Sequence, residues 1–238
     1  MNGSRIMLAE VDAIGKAAAE MPGVDVAIAP PFTLLAEASA RAEIVAIGGQ
    51  DCHQAAKGAH TGAISAGMLV ELGASFVICG HSERRAEYGE SDSLVQAKAR
   101  AAQAAGLTTI ICVGEDEAER GQGRAIPVIT SQLEGSVPAA ATAEKLVIAY
   151  EPIWAIGSGR TPTCSDIVEM HTMIRARLIR LLGDHGSRVP ILYGGSVNPA
   201  NAADILACDE VGGVLVGGAS LSAGQFVPII AAGANVSQ

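Results

Sequence analysis

Short apolar runs recur along the chain, and seven of them have the length of β-strands. Most of the runs are rich in Val and Ile and are apolar at consecutive positions, which is typical of parallel strands buried on both faces. The runs cover residues 24–29, 44–48, 76–79, 107–113, 146–150, 189–193 and 211–216. This pattern predicts a sheet of parallel strands rather than one with a solvent-exposed face.

Segments with helical spacing separate the runs. The clearest predicted helix covers residues 163–182, where apolar side chains recur along one face. Gly183, just beyond it, is a residue type that commonly ends helices. A second predicted helix covers residues 92–105, with Ser91 as N-cap and Gly106 just beyond the end. Strands and helices therefore alternate along the chain.

Such alternation over 238 residues is the pattern of an α/β fold of the (β/α)₈ barrel type, formed by residues 1–238 as a single domain. A doubly wound open sheet is the alternative. That fold would favour a glycine-rich dinucleotide-binding turn after the first strand, where Ala29-Pro30-Pro31 stands instead.

The number of strands is one short of a closed barrel. The chain opens with a predicted helix over residues 4–20, on which Ile6, Val11 and Ile14 share a face. A closed barrel of this type needs about eight strands. We therefore expect one strand to be missing before Met1.

Composition and charge narrow the classes of partner. Hydrophobic residues make up 49% of the chain and charged residues 17%, which is ample for a large core. A net charge of −9 argues against a nucleic-acid partner. The apolar runs are too short to span a membrane, and Glu10, Asp12 and Lys16 interrupt any signal peptide. A small molecule and a second copy of the chain remain as the expected partners.

The cysteines are odd in number, widely spaced and without a CxxC pair. This spacing predicts neither a zinc ribbon nor a disulfide framework, and it fits a reducing compartment better. Cys79 and His81 are too few ligands for a metal site, so we expect none. The five cysteines are Cys52, Cys79, Cys112, Cys164 and Cys208.

Polar and glycine-rich segments follow four of the predicted strands, at the rim where barrels of this class carry their active sites. Each alone has an ordinary structural interpretation, such as a satisfied histidine or a strand-to-helix turn. Their shared position favours a functional site. The segments are Gly80-His81-Ser82-Glu83-Arg84-Arg85, residues 151–160, Tyr193-Gly194-Gly195-Ser196-Val197 and Gly217-Gly218-Ala219-Ser220.

These residue types suit proton transfer beside a carbonyl group. Glu151 can serve as a base, and a carboxylate shielded from water is a stronger one. His81 precedes a helix start, which disfavours the imidazolium and leaves a neutral hydrogen-bond donor for a developing enolate. Gly-rich turns after the last two strands are the usual phosphate site of such barrels. Residues 152–160 are interpreted as a lid that excludes water.

The four rim segments, in this order and spacing, resemble the triosephosphate isomerase family from Met1 to near Gln238. The resemblance implies interconversion of dihydroxyacetone phosphate and glyceraldehyde 3-phosphate, without cofactor or metal. It also implies a cytoplasmic enzyme of glycolysis and gluconeogenesis, and a homodimer formed through the loop at residues 58–62.

The resemblance also implies a role for individual residues. His81 is the expected electrophile, Glu151 the base, and Glu83 a supporting carboxylate. The substrate phosphate is assigned to Gly157, Ser196, Gly217 and Gly218. Tyr193 and Ser196 are assigned to holding the closed lid. The lid comprises Pro152, Ile153, Trp154, Ala155, Ile156, Gly157, Ser158, Gly159 and Arg160.

The sequence departs from the family pattern in several places. Ser158 and Arg160 replace a threonine and a lysine common in the lid, while His60 and Ala63 replace an aromatic and an acidic residue frequent in the dimer loop. A further departure concerns the family's first strand, which ends Gly-Asn-Trp-Lys-Met-Asn-Gly.

Met1-Asn2-Gly3 matches only the tail of that motif. The catalytic lysine and asparagine would then precede Met1, and none of Lys16, Lys57, Lys98 or Lys145 is an obvious substitute. Loss of a preorganised charge costs about a hundredfold or more in rate, so this chain is expected to be severely impaired.

Four interpretations remain open from the sequence. The chain could be part of a longer active isomerase, or a truncated form that binds phosphate but barely catalyses. It could instead be a non-enzymatic scaffold of that family, or a barrel enzyme acting on a different sugar phosphate.

Overall fold

The computed structural model describes residues 1–156 and 160–236, and within them seven parallel strands form one sheet. Each strand pairs with its sequence neighbours, in the order β1 to β7. A doubly wound sheet would reverse its strand order at a switch point, so the sequential order excludes that alternative. The strands are β1 (Ala27–Ile28), β2 (Ala46–Gly49), β3 (Phe76–Cys79), β4 (Thr108–Val113), β5 (Leu146–Tyr150), β6 (Ile191–Tyr193) and β7 (Gly213–Val214).

The α-helices lie in the connections between strands and at the two ends of the chain. None of the described helices is both long enough and apolar enough to cross a bilayer. The helices are α1 (Leu8–Ala19), α2 (Leu35–Arg41), α3 (Ala66–Glu71), α4 (Ser82–Tyr88), α5 (Asp92–Ala104), α6 (Glu117–Gly121), α7 (Ala125–Ser136), α8 (Cys164–Leu182), α9 (Asp184–Arg188), α10 (Ala202–Leu206) and α11 (Ala223–Val236). Short 3₁₀ helices cover Arg5–Met7, Phe32–Leu34, Ile153–Ala155 and Gly218–Leu221.

The sheet is buried on both faces, as the apolar runs predicted. A large core fills the space between strands and helices, where Leu133, Ile148 and Ile174 are fully buried. A smaller apolar cluster of Phe76, Ile78, Ile110, Cys112 and Ala149 lies on the other face of β3, β4 and β5. Because the strands are parallel, their C-terminal ends meet along one rim.

The sheet has seven strands, as the sequence predicted, and its two outer strands do not pair with each other. Within the described residues β1 pairs only with β2, and β7 only with β6. Both outer strands are short, since regular pairing covers only Ala27–Ile28 and Gly213–Val214. The apolar runs there are longer than the paired segments.

The first and last helices pack against each other across the ends of the sheet. Glu10 of α1 accepts a hydrogen bond from the backbone N–H of Ala223 at 2.6 Å, so its carboxylate caps the start of α11. A negative charge at a helix N-terminus is favourable. Two segments 213 residues apart in sequence are joined by this contact.

Cys164 and Cys208 form a disulfide, which corrects the prediction from cysteine spacing. The bond joins Cys164, the first residue of α8, to Cys208, the second residue after α10 and 44 residues further along the chain. The pairing depends on the packing of two separate βα units, which spacing alone does not reveal. Cys52, Cys79 and Cys112 are free thiols and are buried.

Candidate active site

His81 stands at the C-terminal rim, between the end of β3 and the start of α4. Gly80 immediately before it has φ +68°, a left-handed conformation that a side chain rarely adopts, and this turns the chain toward the rim. The His81 Nδ1 atom accepts a hydrogen bond from the backbone N–H of Glu83 at 3.4 Å, so the imidazole caps α4. With Nδ1 as acceptor, the neutral ring carries its proton on Nε2 and presents an N–H donor to the site.

Glu151 follows β5 directly, and its side chain is almost completely buried. Its Oε1 lies 2.9 Å from His81 Nε2. Ser82 holds the same carboxylate, since its backbone N–H donates to Oε2 at 2.9 Å and its hydroxyl donates to Oε1 at 3.2 Å. The histidine and the carboxylate that the sequence assigned to two separate strands are therefore in direct contact.

The charge of His81 depends on this contact. Burial lowers the pKa of the imidazole, but the hydrogen bond and negative charge of Glu151 outweigh it, so the pKa is raised above its ordinary value. The helix N-terminus favours the neutral ring, as the sequence predicted, whereas the contact with Glu151 acts in the opposite direction. The partner that reverses the direction comes from β5 and is not apparent next to His81 in the sequence.

Glu83, the expected supporting carboxylate, projects into solvent. Its side chain is 80% exposed, and Oε2 lies 4.0 Å from His81 Nδ1. Within the described residues its closest link to the site is the backbone N–H that donates to His81. The carboxylate acts on His81 only through its charge.

Glu115 is a functional candidate that the sequence analysis did not select. It follows β4, is fully buried, and its Oε1 accepts hydrogen bonds from Trp154 Nε1 at 2.8 Å, Tyr150 Oη at 3.1 Å and Arg120 Nη1 at 3.1 Å. The Arg120 guanidinium also stacks on the Trp154 ring, 4.7 Å from its centroid. The start of the predicted lid is thus anchored to a buried carboxylate.

Little in the sequence signals this role for Glu115. Glu115 stands within Gly-Glu-Asp-Glu, which has the composition of a solvated acidic turn. Only its position two residues after a buried strand could have marked it.

Two residues assigned to the lid latch lie beside the lid segment. Ser196 Oγ donates to the Ala155 carbonyl at 3.4 Å. Tyr193 is fully buried, and no hydrogen-bond partner reaches its hydroxyl among the described residues. Burial raises the pKa of Tyr193 to about 12, so the hydroxyl keeps its proton at neutral pH. Gly195 leaves room for this hydroxyl, because a Cβ at that position would collide with it.

The residues assigned to the phosphate are only partly described. Gly217 and Gly218 are exposed at the rim, where nothing would obstruct even a Cβ, and Gly218 begins a 3₁₀ helix. Gly157, assigned to the same role, and the lid residues Ser158 and Gly159 lie outside the described residues.

Two of the four lysines have other partners. Lys98 Nζ is buried and lies 2.5 Å from Glu90 Oε1 and 2.7 Å from Asp51 Oδ1. Lys145 Nζ donates to the Gly106 carbonyl at 2.6 Å. Neither ammonium group is paired with His81 or Glu151.

The fold and the site together define a class of protein. A sequentially ordered parallel α/β sheet that joins a histidine and a carboxylate on its C-terminal rim belongs to the barrel enzymes that catalyse proton transfer.

Comparison with known proteins gives the particular family. The model of the family described as triosephosphate isomerase matches residues 1–233. A triosephosphate isomerase of Ruegeria sp. (strain TM1040) is 53% identical over 98% of this chain and 94% of its own length. One from Afipia carboxidovorans is 55% identical over 96% and 92%. The structure of triosephosphate isomerase from Bartonella henselae superimposes with a TM-score of 0.91 at 45% identity, covering 98% of this chain and 94% of its own. The chain belongs to the triosephosphate isomerase family.

Proposed function

We propose that Glu151 and His81 carry out the aldose–ketose isomerisation of this family, in which dihydroxyacetone phosphate and glyceraldehyde 3-phosphate interconvert. Glu151 removes a proton from the carbon beside the carbonyl group, and the electron pair moves onto the carbonyl oxygen. The Nε2–H of His81 donates to that oxygen as it becomes negative. A proton then moves from the adjacent hydroxyl oxygen to this oxygen, and the protonated Glu151 returns its proton to the former carbonyl carbon as the adjacent oxygen becomes the new carbonyl. The observation that carries the proposal is the 2.9 Å separation of His81 Nε2 and Glu151 Oε1 at the rim.

The observed contacts correspond to a resting arrangement. Glu151 is held by Ser82 and His81, so a substrate has to displace it from these donors before it can act as a base. A substrate oxygen placed at His81 Nε2 would do this, because it replaces the carboxylate as acceptor.

We assign the substrate phosphate to Ser196, Gly217 and Gly218, together with Gly157. The open space beside Gly217 and Gly218 supports this assignment, since backbone N–H groups can approach an anion closely where no side chain intervenes. A titration with inorganic phosphate, monitored by the NMR chemical shifts of the backbone amides, tests this assignment. Shifts at these positions are expected, and shifts elsewhere alone would contradict it.

We propose that residues 152–160 form the lid and that Tyr193 and Ser196 hold it when closed. The unpartnered buried hydroxyl of Tyr193 supports this role, because a lid N–H would satisfy it on closure. The Ser196 contact to Ala155 supports the second latch.

Turnover measurements test the acid–base assignment. Glu151→Gln and His81→Gln should each lower kcat by roughly 10²- to 10⁴-fold, the usual contribution of a positioned acid or base. Glu144→Gln removes a carboxylate whose side chain is 60% exposed and should leave kcat unchanged. Normal turnover of Glu151→Gln would exclude Glu151 as the base.

The comparisons give no support to a non-catalytic scaffold.

We propose that the chain forms a homodimer through the loop at residues 58–62. Exposed apolar side chains beside this loop support it: Met68 is 52% exposed and Leu72 38% exposed, and both line an apolar groove of about 270 Å³. Met68→Glu should shift the sedimentation coefficient toward the monomer. Ile179→Glu, at a 45% exposed apolar position on α8, should not.

We propose a cytoplasmic location, which the three free buried thiols support. The disulfide between Cys164 and Cys208 is instead more typical of proteins in oxidising compartments.

A further inference from the structure

Arg85 connects the C-terminal ends of β3 and β4, which lie next to His81 and Glu151. It lies in α4, one helical turn after His81. Its Nε donates to the Gly80 carbonyl at 2.8 Å, and its Nη2 donates to the Cys112 carbonyl at 3.1 Å. The first carbonyl follows β3 and the second belongs to β4. One guanidinium therefore connects neighbouring strands at the rim.

The other side of the guanidinium is equally fixed. Arg85 Nη1 donates to Asp92 Oδ1 at 2.6 Å, and Nη2 donates to Ser136 Oγ at 3.1 Å. Ser136 in turn donates to the same Asp92 oxygen at 3.2 Å. The Arg85 side chain is only 14% exposed. It is thus held between the start of α5 and the end of α7 and cannot reach a substrate in the site.

Each strand end that Arg85 holds leads directly to an acid–base group. Gly80 is the residue before His81 and has the left-handed conformation that sets the ring's direction. The Glu151 backbone N–H donates at 2.8 Å to the carbonyl of Val113, the residue after Cys112. A shift of either carbonyl would therefore move one member of the pair relative to the other.

We propose that Arg85 is a positioning residue that sets the geometry of the His81–Glu151 pair through the ends of β3 and β4. Its effect depends on the planar fork of donors and not on charge alone. A lysine keeps the charge but cannot donate to carbonyls on two strands and to two side chains at once. A displacement of about 1 Å in a catalytic group can cost on the order of a hundredfold in rate.

The chain offers a matched control in Arg175. This arginine is 16% exposed, and its guanidinium donates to the carbonyls of Gly186 and Val189 at 2.8 and 2.7 Å and to Glu210 at 2.9 Å. These acceptors precede β6 and β7, at the rim opposite the site. Loss of its fork should affect stability without affecting the acid–base pair.

The test compares Arg85→Lys with Arg175→Lys. Arg85→Lys should lower kcat by about ten- to a hundredfold with KM changed less than about twofold, because the acid–base pair and not phosphate binding is displaced. Arg175→Lys should leave kcat unchanged. Nitrogen NMR of the His81 imidazole supplies a second measurement. Its titration midpoint should move downward in Arg85→Lys as contact with Glu151 weakens, and it should stay in place in Arg175→Lys.

The His81 titration separates the positioning role of Arg85 from the proposed isomerase function. The kinetic part rests on the proposed function, and an unsubstituted chain without any turnover would count against that function. The His81 titration would still decide the role of Arg85. An unchanged His81 midpoint in Arg85→Lys would overturn it, as would an equal shift in the Arg175→Lys control. If Arg85→Lys does not fold, Asp92→Asn loosens the same guanidinium and should give a smaller shift in the same direction.

Discussion

The imidazole of His81 and the carboxylate of Glu151 share one hydrogen bond, so the charge of the histidine depends on the glutamate. Glu151→Gln removes the negative charge but keeps the size of the side chain. We expect the His81 pKa to fall in this variant, because burial lowers the pKa and the negative charge of Glu151 no longer opposes it. NMR titration of the imidazole measures the shift. A midpoint that stayed in place would mean that the pair does not persist in solution.

Glu83→Gln is the control for this prediction. Its carboxylate also raises the His81 pKa, but it is 4.0 Å away and 80% exposed, so solvent screens it. The downward shift should be clearly smaller than in Glu151→Gln. Equal shifts in the two variants would indicate a general charge effect and not a specific contact.

The same pair makes stability depend on pH. The folded-state pKa of His81 lies above its ordinary value of 6.5. Protonation therefore favours the folded state, fully below about pH 6.5, and the contribution is lost as the pH rises through the raised pKa. Urea unfolding between pH 5 and 9 should show this loss in the parent chain and less of it in Glu151→Gln.

Residue positions at the rim were predictable where they follow a buried strand. His81 and Glu151 were found because parallel strands end on the same side. The contacts of Ser82 with Glu151, and of Glu115 with Trp154, depend on the side-chain directions of separate elements. These were not accessible from spacing, and neither was the direction of the His81 pKa.

One tryptophan can report on the proposed lid. Trp154 is the only tryptophan of the chain, and its indole N–H donates to buried Glu115. Glu115→Ala removes that acceptor and should release the ring toward water, which shifts its fluorescence emission to longer wavelength. Glu144→Ala alters an exposed carboxylate just before β5, at the opposite rim, and should give a much smaller shift. Identical spectra for parent and Glu115→Ala would show that the carboxylate does not anchor the lid.

Helix α8 begins with a capping box formed by Thr163 and Asp166. The Thr163 hydroxyl accepts from the Asp166 N–H, and the Asp166 carboxylate accepts from the Thr163 N–H at 2.9 Å. Thr163→Ala should lower the free energy of unfolding by about 1 kcal/mol, measured by urea denaturation. Thr161→Ala, just outside the helix, should change it by less. A loss confined to Thr161→Ala would contradict the assigned cap.

Element bounds were predictable in the middle of the chain and less so at the outer strands. The runs at residues 76–79 and 146–150 coincide with β3 and β5, since both strands have neighbours on either side. At β1 and β7 the apolar runs extend beyond the paired residues. Hydrophobicity marks burial, whereas strand length depends on having a partner.

At the scale of the whole molecule, the Cys164–Cys208 disulfide closes a loop of 44 residues. A cross-link of this span restricts the unfolded chain and can contribute up to about 4 kcal/mol. A thiol reductant should therefore lower the urea midpoint of the parent chain. Cys208→Ser should have a lower midpoint that is insensitive to the reductant. A parent midpoint unaffected by reductant would mean that the two thiols are not bonded in solution.

The strand order has a consequence for synthesis on the ribosome. Because each described strand pairs with its sequence neighbours, pairing can advance from β1 onward while later segments are still being translated. The contact of Glu10 with Ala223 is different, since it needs both ends of the chain. Nascent chains arrested before α11 should therefore resist proteolysis in the middle strands more than in α1, because α11, one of the helices that pack against α1, emerges last.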